Sequence, residues 1–584
     1  MKIALLQCNT TTGDITGNAR LFLQATRKAV QEGAVLCVTP ELALCGPRPQ
    51  HLLYGRGFLQ GCDKALAWLA KNIPHGASLL IGAPVASLGT GQPHIYNAAV
   101  LVQNGSYSVA SRKVFPGYAG QCESDAGYFE HGVACGLITM AGWRWAIVIC
   151  DEGAHGASFW KPQQANALPP LTELMARGVD GIIHMAASPC VVGMQEVRER
   201  TYSHVAARYH VHVLVANCVG GNDGTVYAGQ SLACDATGAL LARGRAFEED
   251  NVLVDTGIAA MQPARLCASP EEECWNALVL GTRDYLRKSG LKDVLVGLSG
   301  GMDSALVAAI AVEALGARHV FGVLLPSPYT SQESLDLAEA LAKRLRISTR
   351  TLPIEPAMRA FADILAPALD ACPAPAHDTT LENVQARIRG TLLMALANRQ
   401  GAVVLNTGNK SEGAMGYCTL YGDAVGGLAV IGDVTKTEVY RLARWYNAQN
   451  PRRAIPQGII DRVPTAELRL NQRDSDTLPP YELLDPMIAQ VTAPPHDSAV
   501  EDDAFEAHAV QQAARGLGGS ASAPEAPADG VASPANDALY ERVFQAMRAA
   551  EFKRRQMPMC LRVSGAALGE AWRIPVVSKM QLPD

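Results

Sequence analysis

The sequence contains no Cys-x-x-Cys pair, no apolar run long enough to cross a bilayer, and no strong excess of either charge. Each absence closes a class of function. The 15 cysteines are odd in number and scattered, which argues against a disulfide framework or a structural zinc site and fits a reducing cytoplasm. A formal charge of -6 gives no basic field for nucleic acid or an acidic membrane surface. A membrane-spanning helix takes roughly 20 consecutive apolar residues, and no stretch approaches that. Met1 to Asn9 lack the long apolar core and cleavage signature of a secretory leader and read as a first strand. What remains, 48% hydrophobic and 18% charged residues, is the composition of a soluble globular protein. A chain of 584 residues is too long for one core, and roughly two to four domains are expected.

The first half, to about Pro263, reads as short apolar strands alternating with helical patterns, which predicts layered sheets covered by helices. Three of its residues end apolar strands: Glu41 after Val35–Pro40, Lys113 after Tyr107–Arg112, and Cys150 after Ala146–Ile149. Strand ends are where α/β proteins meet ligands. Singly, a cysteine there is usually inert core, and a loop glutamate or lysine is usually solvated. Together they offer a base, a cation and a thiol, the set needed for acyl transfer from an amide. A nearby lysine also lowers a thiol's pKa.

Thr39-Pro40-Glu41-Leu42, Arg112-Lys113 and Ile149-Cys150-Asp151-Glu152 resemble the Glu–Lys–Cys pattern of the nitrilase superfamily, in matching order. The resemblance implies an α-β-β-α sandwich over residues 1–263 that acts as a glutamine amidohydrolase. It implies Glu41, Lys113 and Cys150 as catalytic residues, with Tyr118, Glu123 and Ser188 holding glutamine. The run Cys150-Asp151-Glu152-Gly153 departs from the Cys-Glu-Asp order usual in related synthetases, which bears on the glutamine pocket and not on the nucleophile.

After a polar connection, taken as residues 264–272, the stretch Val294 to Ser304 runs from a β-branched apolar strand through two glycines into an alanine-rich helix. Ser299 and Ser304 bring hydroxyls to a helix N-terminus, and Gly300 and Gly301 let backbone approach a ligand. A tight turn with glycines for sterics would have the same letters. Strands over His319–Leu325 and Ser348–Leu352, with a helix over Glu333–Leu345 between them, predict an open parallel sheet with right-handed crossovers. The loop then sits at a strand's carboxyl end, where such sheets bind ligands.

Ser299-Gly300-Gly301-Met302-Asp303-Ser304 resembles the loop of the ATP pyrophosphatases, which split ATP into AMP and pyrophosphate. With the Asn383/Gln385/Arg387 helix, Thr407 to Glu412, Tyr421-Gly422-Asp423, Thr435-Lys436 and Lys553–Gln556, residues 273–584 resemble the NAD synthetases. The amidase half in front makes the whole chain similar to their glutamine-dependent branch. The resemblance implies a Rossmann-like domain that binds ATP through Ser299, Gly300, Gly301, Asp303, Ser304, Thr407 and Lys436. It implies nicotinic acid adenine dinucleotide on Asn383, Arg387, Glu412 and Asp423, and a homo-oligomer, a dimer or larger. Asp303 and Glu412 are hard oxygen donors of the kind Mg²⁺ takes beside ATP phosphates, and Lys436 suits a leaving pyrophosphate. Arg387 and Arg389 both suit phosphates or a nicotinate carboxylate.

Residues 492–536 fall outside the resemblance. Rich in Ala, Pro, Gly and Ser, they cannot offset ordering entropy by burial and are expected to be flexible. Two other readings compete with an NAD-forming enzyme: an amidotransferase of another ATP-pyrophosphatase group, and a nucleotide-binding sensor with an inactive amidase half. The Glu–Lys–Cys set argues against both.

Overall fold

Side-chain alternation along the strands sorts the first unit into layers. The computed structural model describes residues 1–87, 94–114, 127–150, 171–257, 263–375, 378–470, 472–493, 534–569 and 572–577; for Cys150, 171–173 and 534–536 the description is of backbone alone. The chain divides into two compact units, Met1–Ala268 and Ser269–Asp584.

The first unit's strands are β1 (Lys2–Gln7), β2 (Leu36–Val38), β3 (Ser78–Ser87), β4 (His94–Gln103), β5 (Ser106–Arg112), β6 (Gly136–Met140), β7 (Trp143–Cys150), β8 (Gly181–Ala186), β9 (His212–Asn217), β10 (Val219–Asn222), β11 (Thr225–Ala228), β12 (Leu232–Cys234), β13 (Leu240–Arg243) and β14 (Asp250–Asp255). They form two six-stranded sheets, ordered β14-β1-β2-β3-β4-β5 and β13-β12-β9-β8-β7-β6, with β10 and β11 as a separate hairpin. Helices α1 (Ile15–Gln31), α2 (Phe58–Asn72), α3 (Leu171–Ala176) and α4 (Met194–Tyr209) supply the outer layers.

Along β1, Ile3 and Leu5 enter a core shared with Trp145, Ile147, Ile183 and Leu214 of the other sheet. Ala4 and Leu6 face the opposite way, among Phe22 and Leu23 of α1 and Leu66 and Leu69 of α2. On β7, Ala146 and Val148 turn out toward Tyr202, Val205 and Ala206 of α4. Period-two alternation with both faces apolar therefore yields helix, sheet, sheet, helix. The first unit has the α-β-β-α architecture expected of it.

The second unit opens with α5 (Pro270–Lys288). Its N-cap is Ser269, whose Oγ accepts the Glu272 N–H at 3.2 Å, so the helix starts inside the stretch taken as the connection, residues 264–272. Strands β15 (Val294–Gly297), β16 (Val320–Leu324), β17 (Ser348–Thr351), β18 (Val403–Asn406), β19 (Leu428–Ala429) and β20 (Met559–Cys560) make one parallel sheet ordered β17-β16-β15-β18-β19-β20. The helices that place the site are α6 (Met302–Leu315), α7 (Gln332–Leu345), α8 (Glu355–Asp370), α9 (Thr380–Gln400), α10 (Lys410–Met415) and α11 (Lys436–Gln449). Helix α6 is apolar nearly all round and packs among α5, α11 and the strands β15 and β16. On the other face, Leu295, Val323 and Val404 meet Ile388, Leu393 and Ala397 of α9. The chain runs outward from β15 to β17 and returns to β18, so the sheet's topological switch lies between β15 and β18, where open α/β sheets bind ligands.

Ile147 lies in the inter-sheet core and is fully buried. Ile147→Ala should cost about 2–5 kcal/mol, read as a lower urea midpoint for the first unit's unfolding. A loss below about 0.5 kcal/mol would show that this core tolerates the cavity.

Candidate active sites

Geometry at the ends of β2, β5 and β7 brings the first unit's candidates together. Glu41 and Lys113 are 4% and 1% exposed, and Lys113 Nζ donates to Glu41 Oε1 at 2.9 Å. Charges this buried persist only when paired. Asn97 Nδ2 donates to the same oxygen at 2.6 Å, while the Asn97 carbonyl accepts the Lys113 backbone N–H at 2.7 Å. Asn97 thus holds both partners of the ion pair. Sequence reasoning missed it, although an amide inside the apolar run of β4 was a signal.

The Glu41 backbone N–H donates to the Ala186 carbonyl at 3.4 Å, and Ala186 is the register partner of Cys150 across β7 and β8. The backbone of Cys150 therefore lies one strand spacing from the residue on which Glu41 is moored. Gly82 makes the mooring possible: a Cβ there would lie 2.5 Å from both Pro40 O and Leu42 N. Ser188, also buried, donates its N–H to Asn217 Oδ1 at 2.9 Å, which places the Ser188-Pro189 segment just past β8. The side chain of Cys150, and Tyr118 and Glu123, lie outside the described residues.

In the second unit the loop between β15 and α6 folds on itself. Ser299 Oγ and Ser304 Oγ are 3.0 Å apart, and the Gly301 N–H donates to Ser299 Oγ at 3.1 Å. Gly300 has φ +78° and sits against α7, where a Cβ would come within 2.3 Å of the Ser334 carbonyl oxygen. Among the described residues no side chain caps α6, which leaves its first N–H groups to an anion.

Three ionisable candidates meet behind that loop. Lys436 Nζ donates to Asp303 Oδ2 at 2.5 Å and to Glu412 Oε1 at 3.5 Å. Asn409 ties the carboxylates from their other side: its Nδ2 donates to Asp303 Oδ1 at 3.0 Å, and it forms a capping box with Glu412 at the start of α10. Burial first, and then the Asp303 charge, push the Glu412 carboxyl from 4.5 to about 8. Burial works against the Lys436 ammonium, but Asp303 and Glu412 outweigh it and hold its pKa above the ordinary lysine value.

Helix α10 has only six residues and depends on outside ties. Ser411 Oγ donates to Asp485 at 2.5 Å, and Lys410 Nζ pairs with Asp433 at 2.9 Å. At the other end the buried Arg554 donates to the carbonyls of Gly413 and Ala414, at 3.2 and 3.0 Å.

The remaining candidates gather on the loop at Thr419–Leu420. Asn383 Oδ1 accepts Thr419 Oγ1 at 2.7 Å, Asp423 Oδ1 accepts the Thr419 N–H at 2.5 Å, and Arg387 Nε donates to the Leu420 carbonyl at 3.3 Å. Thr407 lies between β18 and α10, in the turn that Asn406 Oδ1 closes by accepting the Gly408 N–H at 2.9 Å. At the carboxyl ends of β18, β19 and β20 is a cavity of about 430 Å³, lined by Asn406, Asn409, Gly413, Arg554, Met557 and Cys560 among others.

Residues 2–269 match the carbon–nitrogen hydrolase family, and residues 274–517 match NAD synthase. The glutamine-dependent NAD(+) synthetase of Synechocystis is 37% identical over 98% of both chains, and that of Thermotoga maritima is 35% identical over 100% of this chain and 99% of its own. Among solved structures, the glutamine-dependent NAD+ synthetase of Acinetobacter baumannii in complex with adenosine diphosphate superposes with a TM-score of 0.72 at 29% identity, covering 100% of this chain and 99% of that one.

The raised Glu412 carboxyl keeps its proton in the folded, ligand-free protein over a range where the unfolded chain has lost it. Its contribution to stability therefore falls as pH rises from 4.5 to about 8. Glu412→Gln should flatten that part of the second unit's stability–pH curve, followed by urea unfolding across the same window. An unchanged slope would show that the carboxyl titrates near its ordinary value.

Proposed function

This chain belongs to the glutamine-dependent NAD(+) synthetases, and we propose how its two units divide that reaction among particular side chains. The enzyme is a carbon–nitrogen ligase that takes ammonia from glutamine and, with ATP, amidates nicotinic acid adenine dinucleotide to NAD. The first chemistry belongs to a domain of residues 1–263 and the second to residues 273–584.

In the first, Cys150 attacks the side-chain amide of a glutamine held by Tyr118, Glu123 and Ser188. Glu41 takes the thiol proton and passes it to the departing ammonia, and Lys113 stabilises the oxyanion. Water, deprotonated by Glu41, then hydrolyses the glutamyl thioester. The observation that carries this reading is the buried Glu41–Lys113 pair, moored by backbone to the register partner of Cys150.

In the second, ATP lies on the Ser299–Ser304 loop with Thr407 and Lys436; the relative solved with adenosine diphosphate supports an adenine nucleotide in the family. Asn383, Arg387, Glu412 and Asp423 hold the dinucleotide. Asp303 and Glu412 direct carboxylate oxygens at one ammonium, a donor set that fits Mg²⁺. Bound there, Mg²⁺ would neutralise phosphate charge. The nicotinate carboxylate attacks the α-phosphorus and pyrophosphate leaves, drawn by Lys436. Activation is needed because ammonia cannot displace an oxide. Ammonia then attacks the acyl adenylate, giving NAD and AMP. The ammonia must arrive unprotonated, since ammonium has no lone pair to donate. The enzyme works in the cytoplasm as a homo-oligomer, a dimer or larger.

Cys150→Ala should lose glutamine-driven synthesis by roughly 10³-fold or more and keep ammonia-driven synthesis. Asp303→Ala should lose synthesis from either donor and retain glutamine hydrolysis. NAD, AMP and glutamate are followed with each nitrogen source in turn. If Cys150→Ala abolished both activities in a folded protein, the two-site assignment would be wrong.

A further inference from the structure

We infer that Gln385 and Arg389 grip the nucleoside monophosphate half of ATP, a role that rests on the phosphate-loop reading above. Residues 385, 389 and 393 lie four apart on one face of α9. Leu393 fixes where that face lies: a Cβ on Gly297, the last residue of β15, would be 3.4 Å from Leu393 Cδ1. One turn earlier Arg389 Nε donates to the Leu325 carbonyl, just past the end of β16, at 3.0 Å. A further turn out, Gln385 Nε2 donates to the Leu468 carbonyl at 2.9 Å. The row thus climbs off the end of β15 into the space beyond the strands' carboxyl ends.

Both side chains carry unused capacity there. Gln385 is 2% exposed, and its Oε1 has no hydrogen-bond partner among the described residues. Buried acceptors are rarely left so, and one that is calls for an explanation. Among the described residues Arg389 makes a hydrogen bond only through Nε and has no carboxylate within ion-pair distance, although it is half-buried and burial lowers its pKa to about 10. A sheltered guanidinium with its fork free, one turn from a free carbonyl oxygen, suits an anion joined to a hydrogen-bond donor. A nucleoside phosphate has both.

The polarity of the site assigns the substrate. Glu412 of α10 and Lys436 of α11 meet Asp303 on the β18 side of the loop, and Mg²⁺ held by the two carboxylates, with Lys436, would draw the β- and γ-phosphates that way. The nucleoside must leave the loop on the β16 side, where Arg389 is bound to Leu325. Arg389 then faces the α-phosphoryl group, and Gln385 Oε1 accepts from the base amino group or a ribose hydroxyl.

The test is ammonia-driven synthesis by the full chain with ATP, inosine triphosphate or 2′- and 3′-deoxy-ATP. Arg389→Lys keeps the charge and loses the fork; it should raise KM for ATP about tenfold or more and leave KM for the dinucleotide unchanged. Gln385→Leu should raise KM for ATP by about tenfold and erase one preference of the native enzyme. Loss of discrimination against inosine triphosphate identifies the amino group as donor; loss of discrimination against a deoxy analogue identifies the hydroxyl. Gln385→Glu keeps an acceptor oxygen and should retain that preference, which a folding defect would not predict. KM for ATP within about twofold of native in both variants, or a change in the dinucleotide's KM instead, overturns the inference. Failure of the native enzyme to require ATP would overturn the phosphate-loop reading instead.

Discussion

The Lys436 ammonium between the carboxylates of Asp303 and Glu412 is the contact that the second unit is built to make. The three residues come from three separate junctions: the first turns of α6, α10 and α11. Each junction follows a strand or turn at the same edge of the sheet, so the parallel order of β15, β18 and β19 sets their convergence. Buried charges are costly alone, and here each offsets the others' loss of water. The arrangement is also loaded: burial first, and then repulsion from Asp303, make Glu412 resist ionisation, while the two carboxylates make Lys436 hold its proton tightly. A cation with more charge than lysine would relieve that repulsion.

The first unit meets the same constraint with fewer parts. Lys113 and Glu41 are sealed between layers, and the third participant is an uncharged amide. Asn97 fixes the carboxylate through its side chain and the lysine through its backbone. The pair is therefore positioned by β4, a ten-residue antiparallel strand, together with the backbone bond that moors Glu41 on Ala186.

Most of this architecture was legible in the letters, because β-branched runs and helical periodicity are local. β16, β17 and α7 differ from their expected bounds only by single residues at their ends. What escaped was short or held by distant partners. β19 and β20 have two residues each, too few to show a period, and exist because they pair in register. β14 pairs with β1 across more than two hundred residues of sequence, and its mixed burial gives no clean alternation. Glu41 and Lys113 were visible as strand-end residues, and Asp303 and Glu412 as hard oxygen donors in motifs of the resemblance, whereas Asn97 and the Asn409 contact to Asp303 depend on spatial neighbours. Of the paired arginines on α9, spacing could not say which one faces the strand ends. The fold separates them: Arg387 reaches the Leu420 loop, and Arg389 reaches Leu325.

The ties on α10 carry a consequence for the life of the chain on the ribosome. Asn409 and Glu412 are in place only if this one-and-a-half-turn helix is, and its far end is closed by Arg554 while Lys410 leans on Asp433 and Ser564. β20, which completes the sheet beyond β19, begins at Met559. Synthesis proceeds from the N-terminus, so the Ser299–Ser304 loop emerges some two hundred and fifty residues before the segment that locks its partner helix. During that interval the chain carries Asp303 but lacks the arginine that ties the far end of the helix bringing Asn409 and Glu412 to it.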